Sequence, residues 1–199
     1  MARKRVKKKQ SKQSPFSKST LKYGIVGAIL LIIITVSIFA FTAKENTPTS
    51  TIDQPGKWLF AMDTANVQYM YSASGIPTLV IIDPEGDVIY YNQGAHSKDQ
   101  LLPYIESAIQ GTAESLGQSI DFTATTFNDE EFTLSEHRGE VVLLDIMGVG
   151  CPPCEMQMPE LQKIKKEKGE EITILSIDVY YSGETKEDVI NTYGQYIKE

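Results

Sequence analysis

Hydrophobic and polar positions divide this chain into one long apolar stretch near its start and a series of short apolar runs after it. Residues 24–43 carry no charged side chain. Twenty residues at about 1.5 Å each cover roughly 30 Å, the hydrocarbon thickness of a bilayer. Residues 23–43 are therefore predicted to form a transmembrane helix. Farther on, Trp58–Met62, Thr78–Ile82, 88–91, 141–147 and 172–177 are apolar runs of strand length. Asp83-Pro84-Glu85-Gly86 lies between the second and third runs, with proline second and glycine last, and predicts a hairpin turn. Helical spacing follows Val67, Met70 and Tyr71. It recurs in Leu101, Leu102, Ile105 and Ile109 behind a Ser97/Gln100 capping box, with Pro103 predicted to kink that helix. It recurs again over 155–168, and in Val189, Ile190, Tyr193 and Ile197. Residues 122–134 have hairpin character.

Charge sharpens the division. Residues 1–43 hold nine of the 19 Lys and Arg residues and no Asp or Glu. The remainder carries ten basic against 26 acidic residues, a net of −16. Arg3, Arg5, Lys7, Lys8 and Lys9 precede the apolar stretch and predict a cytosolic N-terminus. An acidic domain argues against a nucleic-acid partner. The alternative to an anchor is a cleaved signal peptide, but the apolar stretch is long for one and lacks an A-x-A pattern at its end. The predicted organisation is a basic leader (1–22), a transmembrane helix in the lipid bilayer (23–43), a Thr/Ser/Pro/Asn-rich stalk (44–56) and an extracytoplasmic domain (57–199). Gly111 to Ser119 is small and polar and reads as a linker (111–119) between halves 57–110 and 120–199. Each half alone leaves strands without neighbours, which a parallel sheet does not tolerate.

The candidate chemistry lies in Cys151-Pro152-Pro153-Cys154, which contains both cysteines of the chain. Two thiols two residues apart, between a strand and a helix, form a redox motif. Amides at a helix start stabilise a thiolate, so Cys151 is the expected nucleophile. Cys154, one turn on, is the expected resolving thiol. The alternatives are a structural disulfide or a Cu(I) site drawing on Met156 and Met158. His96 and His137 belong to no metal motif, and Met158 shares the helix's apolar face with Leu161. No organic cofactor or metal is required; the redox-active disulfide is the working group. Asp145 interrupts an apolar run six residues before Cys151, where a charge is costly unless paired or protonated.

These residues resemble the thioredoxin-like superfamily, and most closely its TlpA/ResA-like membrane-anchored thiol–disulfide oxidoreductases. The run from Phe132 to Asp145, CPPC, and Pro159 five residues after Cys154 resemble the family's N-terminal half. Gly75-Ile76-Pro77-Thr78-Leu79 resembles its cis-proline loop. Gly94-Ala95, Ser97-Lys98 and Gln100-Leu101 resemble the approach to its last helix. The order is reversed, because Pro77 precedes Cys151 by 74 residues. Joining the chain's end to Gln54 restores the family order, which implies a circular permutation; a swapped dimer of halves and a fragment of a tandem protein are the alternatives. Members usually carry Trp just before the first cysteine and an aromatic residue a few positions earlier, where this chain has Gly150 and Met147.

The resemblance implies an α/β thioredoxin-like fold: a central mixed sheet flanked by helices, circularly permuted, plus one N-terminal transmembrane helix. It implies that Asp145 is a buried acid serving proton transfer near Cys154, and that Ile76-Pro77 is a cis bond beside the cysteines. Ile76, Pro77, Pro152 and Pro153 would then bind substrate, with the Ile76 backbone pairing to an extended segment. The implied activity is protein-disulfide reduction outside the cytosol. Its partners would be exported protein thiols or disulfides, such as apocytochrome c, and a membrane electron donor. The competing reading is a Cu(I)-binding or scaffold domain that kept the fold without redox turnover. Pro159 is expected to kink its helix, and His137, Arg138 and the Glu/Lys face of 163–171 to be solvated surface.

Overall fold

The structure, a computed structural model, describes residues 57–197. The predicted leader, transmembrane helix and stalk lie outside the described residues. Among the described residues, no helix is long and apolar enough to cross a membrane.

The described residues form eight strands: β1 (Trp58–Met62), β2 (Thr78–Ile82), β3 (Asp87–Gln93), β4 (Gly117–Gln118), β5 (Thr123–Thr125), β6 (Glu131–Thr133), β7 (Val141–Met147) and β8 (Ile172–Asp178). The α-helices are α1 (Val67–Met70), α2 (Lys98–Ile109), α3 (Pro152–Lys168) and α4 (Lys186–Ile197). Six strands make one sheet in the order β1-β8-β7-β2-β3-β4, and β5-β6 is a separate hairpin. The first three run parallel; β7-β2, β2-β3 and β3-β4 are antiparallel. Both halves of the chain therefore contribute to one mixed sheet, with β8 and β7 of the second half inserted between β1 and β2 of the first.

The sheet is buried on both faces, which is why its central strands read as continuous apolar runs rather than alternating ones. All seven residues of β7 are buried. Leu143, Met147, Leu79, Ile81 and Ile174 pack with Leu101 and Ile105 of α2, Met158 and Leu161 of α3, and Val189 and Tyr193 of α4. On the opposite face, Val142, Leu144, Ile146, Val80 and Leu175 pack with Phe122 and Phe132 of the β5-β6 region and with Val67 of α1. The capping box of α2 forms as predicted, and the helix runs on through Pro103. Asp83 accepts the Gly86 amide at 2.9 Å and closes the β2-β3 turn.

Four sequence expectations are corrected. Helix α3 begins at Pro152, three residues earlier than 155, because Cys151 is its N-cap and proline suits the first helical position. The segment read as a linker adds a strand: Gly117 and Gln118 pair with Val88 and Asp87 along the β3 edge. On α4 the buried side chains are Val189, Tyr193 and Tyr196, whereas Ile190 is exposed. Trp58 packs against the Tyr196 ring at 5.3 Å. His137 is half-buried, stacked on Phe132 at 4.2 Å with its Nδ1 3.1 Å from Glu140, so it is not free surface.

Candidate redox site

Strand β7 ends at Met147, and Gly148-Val149-Gly150 leads directly into Cys151. Cys151 and Cys154 are joined by a disulfide, S–S 2.13 Å. Cys151 caps α3: the Cys154 amide donates to its sulfur at 3.2 Å. That amide belongs to the first turn, where N–H groups lack helical partners and favour negative charge. Cys151 retains 4% exposure, whereas Cys154 has none. Pro152 and Pro153 lie exposed beside them.

The β7-β2 ladder brings a second loop to the same end of the sheet. Because the strands are antiparallel, with Ile146 opposite Thr78, the end of β7 lies against the start of β2. The Ile76-Pro77 bond is cis. The Ile76 carbonyl oxygen lies 3.8 Å from Cys151 Sγ. Residues separated by 75 positions thus meet at the disulfide.

Asp145 is wholly buried in β7, on the face that packs Leu143, Met147 and Cys154. Register places it opposite Ser176 of β8. The Ser176 hydroxyl donates to Asp145 Oδ2 at 2.9 Å, and the Trp58 indole N–H donates to Ser176 Oγ at 3.1 Å. Among the described residues, Asp145 Oδ1 has no partner. Burial pushes the Asp145 carboxyl up to about 7, with the Ser176 bond pulling the other way.

Sequence reasoning missed the residues that brace the cysteine loop. Glu184 is buried after β8. Its Oε1 accepts the Val149 amide at 3.0 Å and the Tyr181 amide at 3.1 Å, and its Oε2 accepts the Ser182 amide at 2.6 Å. Burial opposes the charge, yet these backbone donors hold the Glu184 carboxyl below its ordinary range. Burial lifts neighbouring Asp178 to about 7; Tyr180 N–H opposes that rise and the Glu184 charge adds to it. The Tyr193 hydroxyl donates to the Gly148 carbonyl at 3.1 Å. Gly148 has no room for a side chain: a Cβ there would lie 2.6 Å from Tyr181 Cβ. Gln157 ties the far side, accepting the His96 amide at 2.7 Å. No local pattern marks Glu184 or Gln157, since their partners come from other elements. Glu184→Ala leaves three amides without an acceptor and is expected to cost about 2 kcal/mol of stability, measured by denaturant unfolding. Glu184→Gln should retain part of that.

The remaining candidates separate. Met156 is 69% exposed and Met158 is packed in the core. His96 Nδ1 lies 2.8 Å from the Gly94 carbonyl. Among the described residues, no three His, Cys, Asp or Glu side chains cluster as a metal site.

A central mixed sheet flanked by helices, with a disulfide between a strand end and a helix start, fits the thioredoxin-like fold. Residues 116–194 match the AhpC/TSA family. The chain is similar to thiol-disulfide oxidoreductase ResA of Geobacillus kaustophilus, 36% identical over 78 residues, covering 37% of this chain and 45% of that protein. It is similar to thioredoxin-like protein YneN of Bacillus subtilis, 28% identical over 76 residues, 38% of this chain and 44% of that protein. It is also similar to human DnaJ homolog subfamily C member 10, 31% identical over 122 residues, 60% of this chain and 14% of that protein. The chain thus spans less than half the length of each of these relatives. No solved structure matches significantly.

Proposed function

We propose that the domain carries out thiol–disulfide exchange through Cys151 and Cys154, and acts as a reductant of protein disulfides. The observation that carries this reading is the asymmetry of the pair: Cys151 caps α3 and reaches the surface, while Cys154 is sealed behind it. In the dithiol form, the Cys151 thiolate attacks one sulfur of a substrate disulfide. The substrate S–S bond breaks, a mixed disulfide forms, and the other substrate sulfur leaves as a thiolate. Cys154 then gives its proton to Asp145 and attacks Cys151 Sγ. The 151–154 bond re-forms and the second substrate thiolate departs, taking up a proton. The substrate gains two electrons and the dithiol loses them. Ile76, Pro77, Pro152 and Pro153 border the attacked sulfur and form the substrate surface.

The full reading is an extracytoplasmic domain anchored by residues 23–43, with the N-terminus in the cytosol. A membrane electron donor restores its dithiol, and exported proteins such as apocytochrome c are its substrates. Its chain order is a circular permutation, an idea supported by the interleaving of the two halves in one sheet. The test is an insulin-reduction assay together with the reduction potential of the 151/154 pair. Turnover with a potential near that of known thioredoxins, about −270 mV, supports a reductant. A potential near −120 mV makes it an oxidant instead. Absent turnover together with tight Cu(I) binding through both thiols replaces the reading with a copper-binding domain.

A further inference from the structure

Serine is an unexpected residue at the centre of β8. Its neighbours Ile172, Ile174, Leu175 and Ile177 are apolar, and Ser176 is itself fully buried. A buried hydroxyl without partners is costly. Ser176 has two, and the chemistry of one fixes the direction of the other. An indole N–H can only donate. Trp58 Nε1 therefore donates to Ser176 Oγ, and the single hydroxyl hydrogen is left to point at Asp145 Oδ2. Trp58 is itself held in place, stacked on Phe60 at 5.6 Å and against Tyr196.

We infer that Trp58 and Ser176 are positioning residues whose one-way hydrogen-bond chain holds Asp145 by Oδ2 and leaves Oδ1 as the oxygen that exchanges a proton. The inference rests on the proposed exchange reaction and adds what orients its base. Among the described residues Oδ1 is buried and unpartnered, which leaves it open to receive a proton. The chain also joins the two halves of the sequence, since Trp58 and Ser176 are 118 residues apart. The other titratable groups on this side of the sheet include Tyr193 and Tyr196 on α4, Tyr90 on β3, Cys151 and Cys154 at the start of α3 with Glu155 after them, Asp178 at the end of β8 and Glu184 beyond it. Of these, Asp178 needs a control, because it too is displaced into the neutral range.

Trp58 is the sole tryptophan of the chain, so its emission reports on this chain of bonds. The experiment uses the full-length protein in detergent. Trp58 fluorescence is titrated between pH 5 and 9 in the wild type and in Ser176→Ala, Ser176→Thr, Asp145→Asn and Asp178→Asn. The wild type should show a transition that Asp145→Asn removes and Asp178→Asn keeps. Ser176→Ala removes a donor to the charged form, so its midpoint should rise by about one pH unit. Ser176→Thr, which keeps the hydroxyl, should return it towards wild type. Exchange with a small disulfide, followed over the same pH range, should rise with pH and move upward by the same amount in Ser176→Ala. A transition that survives Asp145→Asn, or an unmoved midpoint in Ser176→Ala, overturns the inference. A shifted fluorescence midpoint in Ser176→Ala beside a wild type that exchanges nothing overturns the proposed function instead and reduces the chain of bonds to a structural role.

Discussion

Cys151→Ser is expected to lower thiol–disulfide exchange by more than about 1,000-fold, while Cys154→Ser accumulates mixed disulfides with partners. The first loss is large because removing the nucleophile removes the reaction rather than slowing it. The contrast follows from position. Only Cys151 reaches solvent and caps the helix; Cys154 has no exposed surface. A substrate sulfur bonded to Cys151 can be released only by Cys154, so serine at 154 leaves the covalent intermediate intact. The measurement is non-reducing gel analysis after mixing with a disulfide-bonded protein, beside a rate assay. Trapping by Cys151→Ser instead would reverse the assignment.

Asp145→Asn is expected to stabilise the oxidised protein by about 4 kcal/mol at pH 8 and to change little at pH 4. In the unfolded chain this carboxyl loses its proton near its ordinary value of 3.8; in the folded chain it keeps it up to about 7. Between these values the folded state holds one proton more than the unfolded state, so stability falls as pH rises. Above pH 7 the charge is buried and the loss is complete. Three units at about 1.4 kcal/mol each give the stated figure. Urea unfolding of wild type and variant at both pH values reads the difference, and an equal difference at both would refute it. This cost is paired with the role proposed for the residue: a carboxyl that is easy to ionise could not retain its proton near neutrality.

The cysteine pair and the sheet are legible in the sequence, but only part of what holds them. β2, β7 and β8 are legible because burial on both faces leaves unbroken apolar runs such as Val141–Met147. Asp145 is legible for the same reason, as the one charge inside such a run. The start of α3 is not, because Pro152-Pro153 reads as a break until the N-cap is known. β4 leaves no pattern, since Gly117 and Gln118 contribute only backbone to the β3 edge. Ile190 and Tyr196 differ by less than two helical turns, and which of them lies inside depends on tertiary partners such as the Trp58 ring. Glu184 and Ser176 carry no signal of their own. Their roles exist only once Val149, Asp145 and Trp58 have been brought to them from elsewhere in the chain.

The placement of β1 at the edge, with β8 as its sole ladder partner, also constrains the order of synthesis. Ser176 leaves the ribosome 118 residues after Trp58. At about 5–20 residues per second, that is a wait of roughly 6–24 s. Throughout it, β1, β2 and β3 exist without the two strands that separate them, and their apolar side chains have only the residues of α1, α2 and the β5-β6 hairpin to pack on. Local pairing can close the β2-β3 hairpin early, but a lone hairpin is marginal in water. The newborn chain therefore cannot complete its central sheet until β7 and β8, within its last 60 or so residues, have been made.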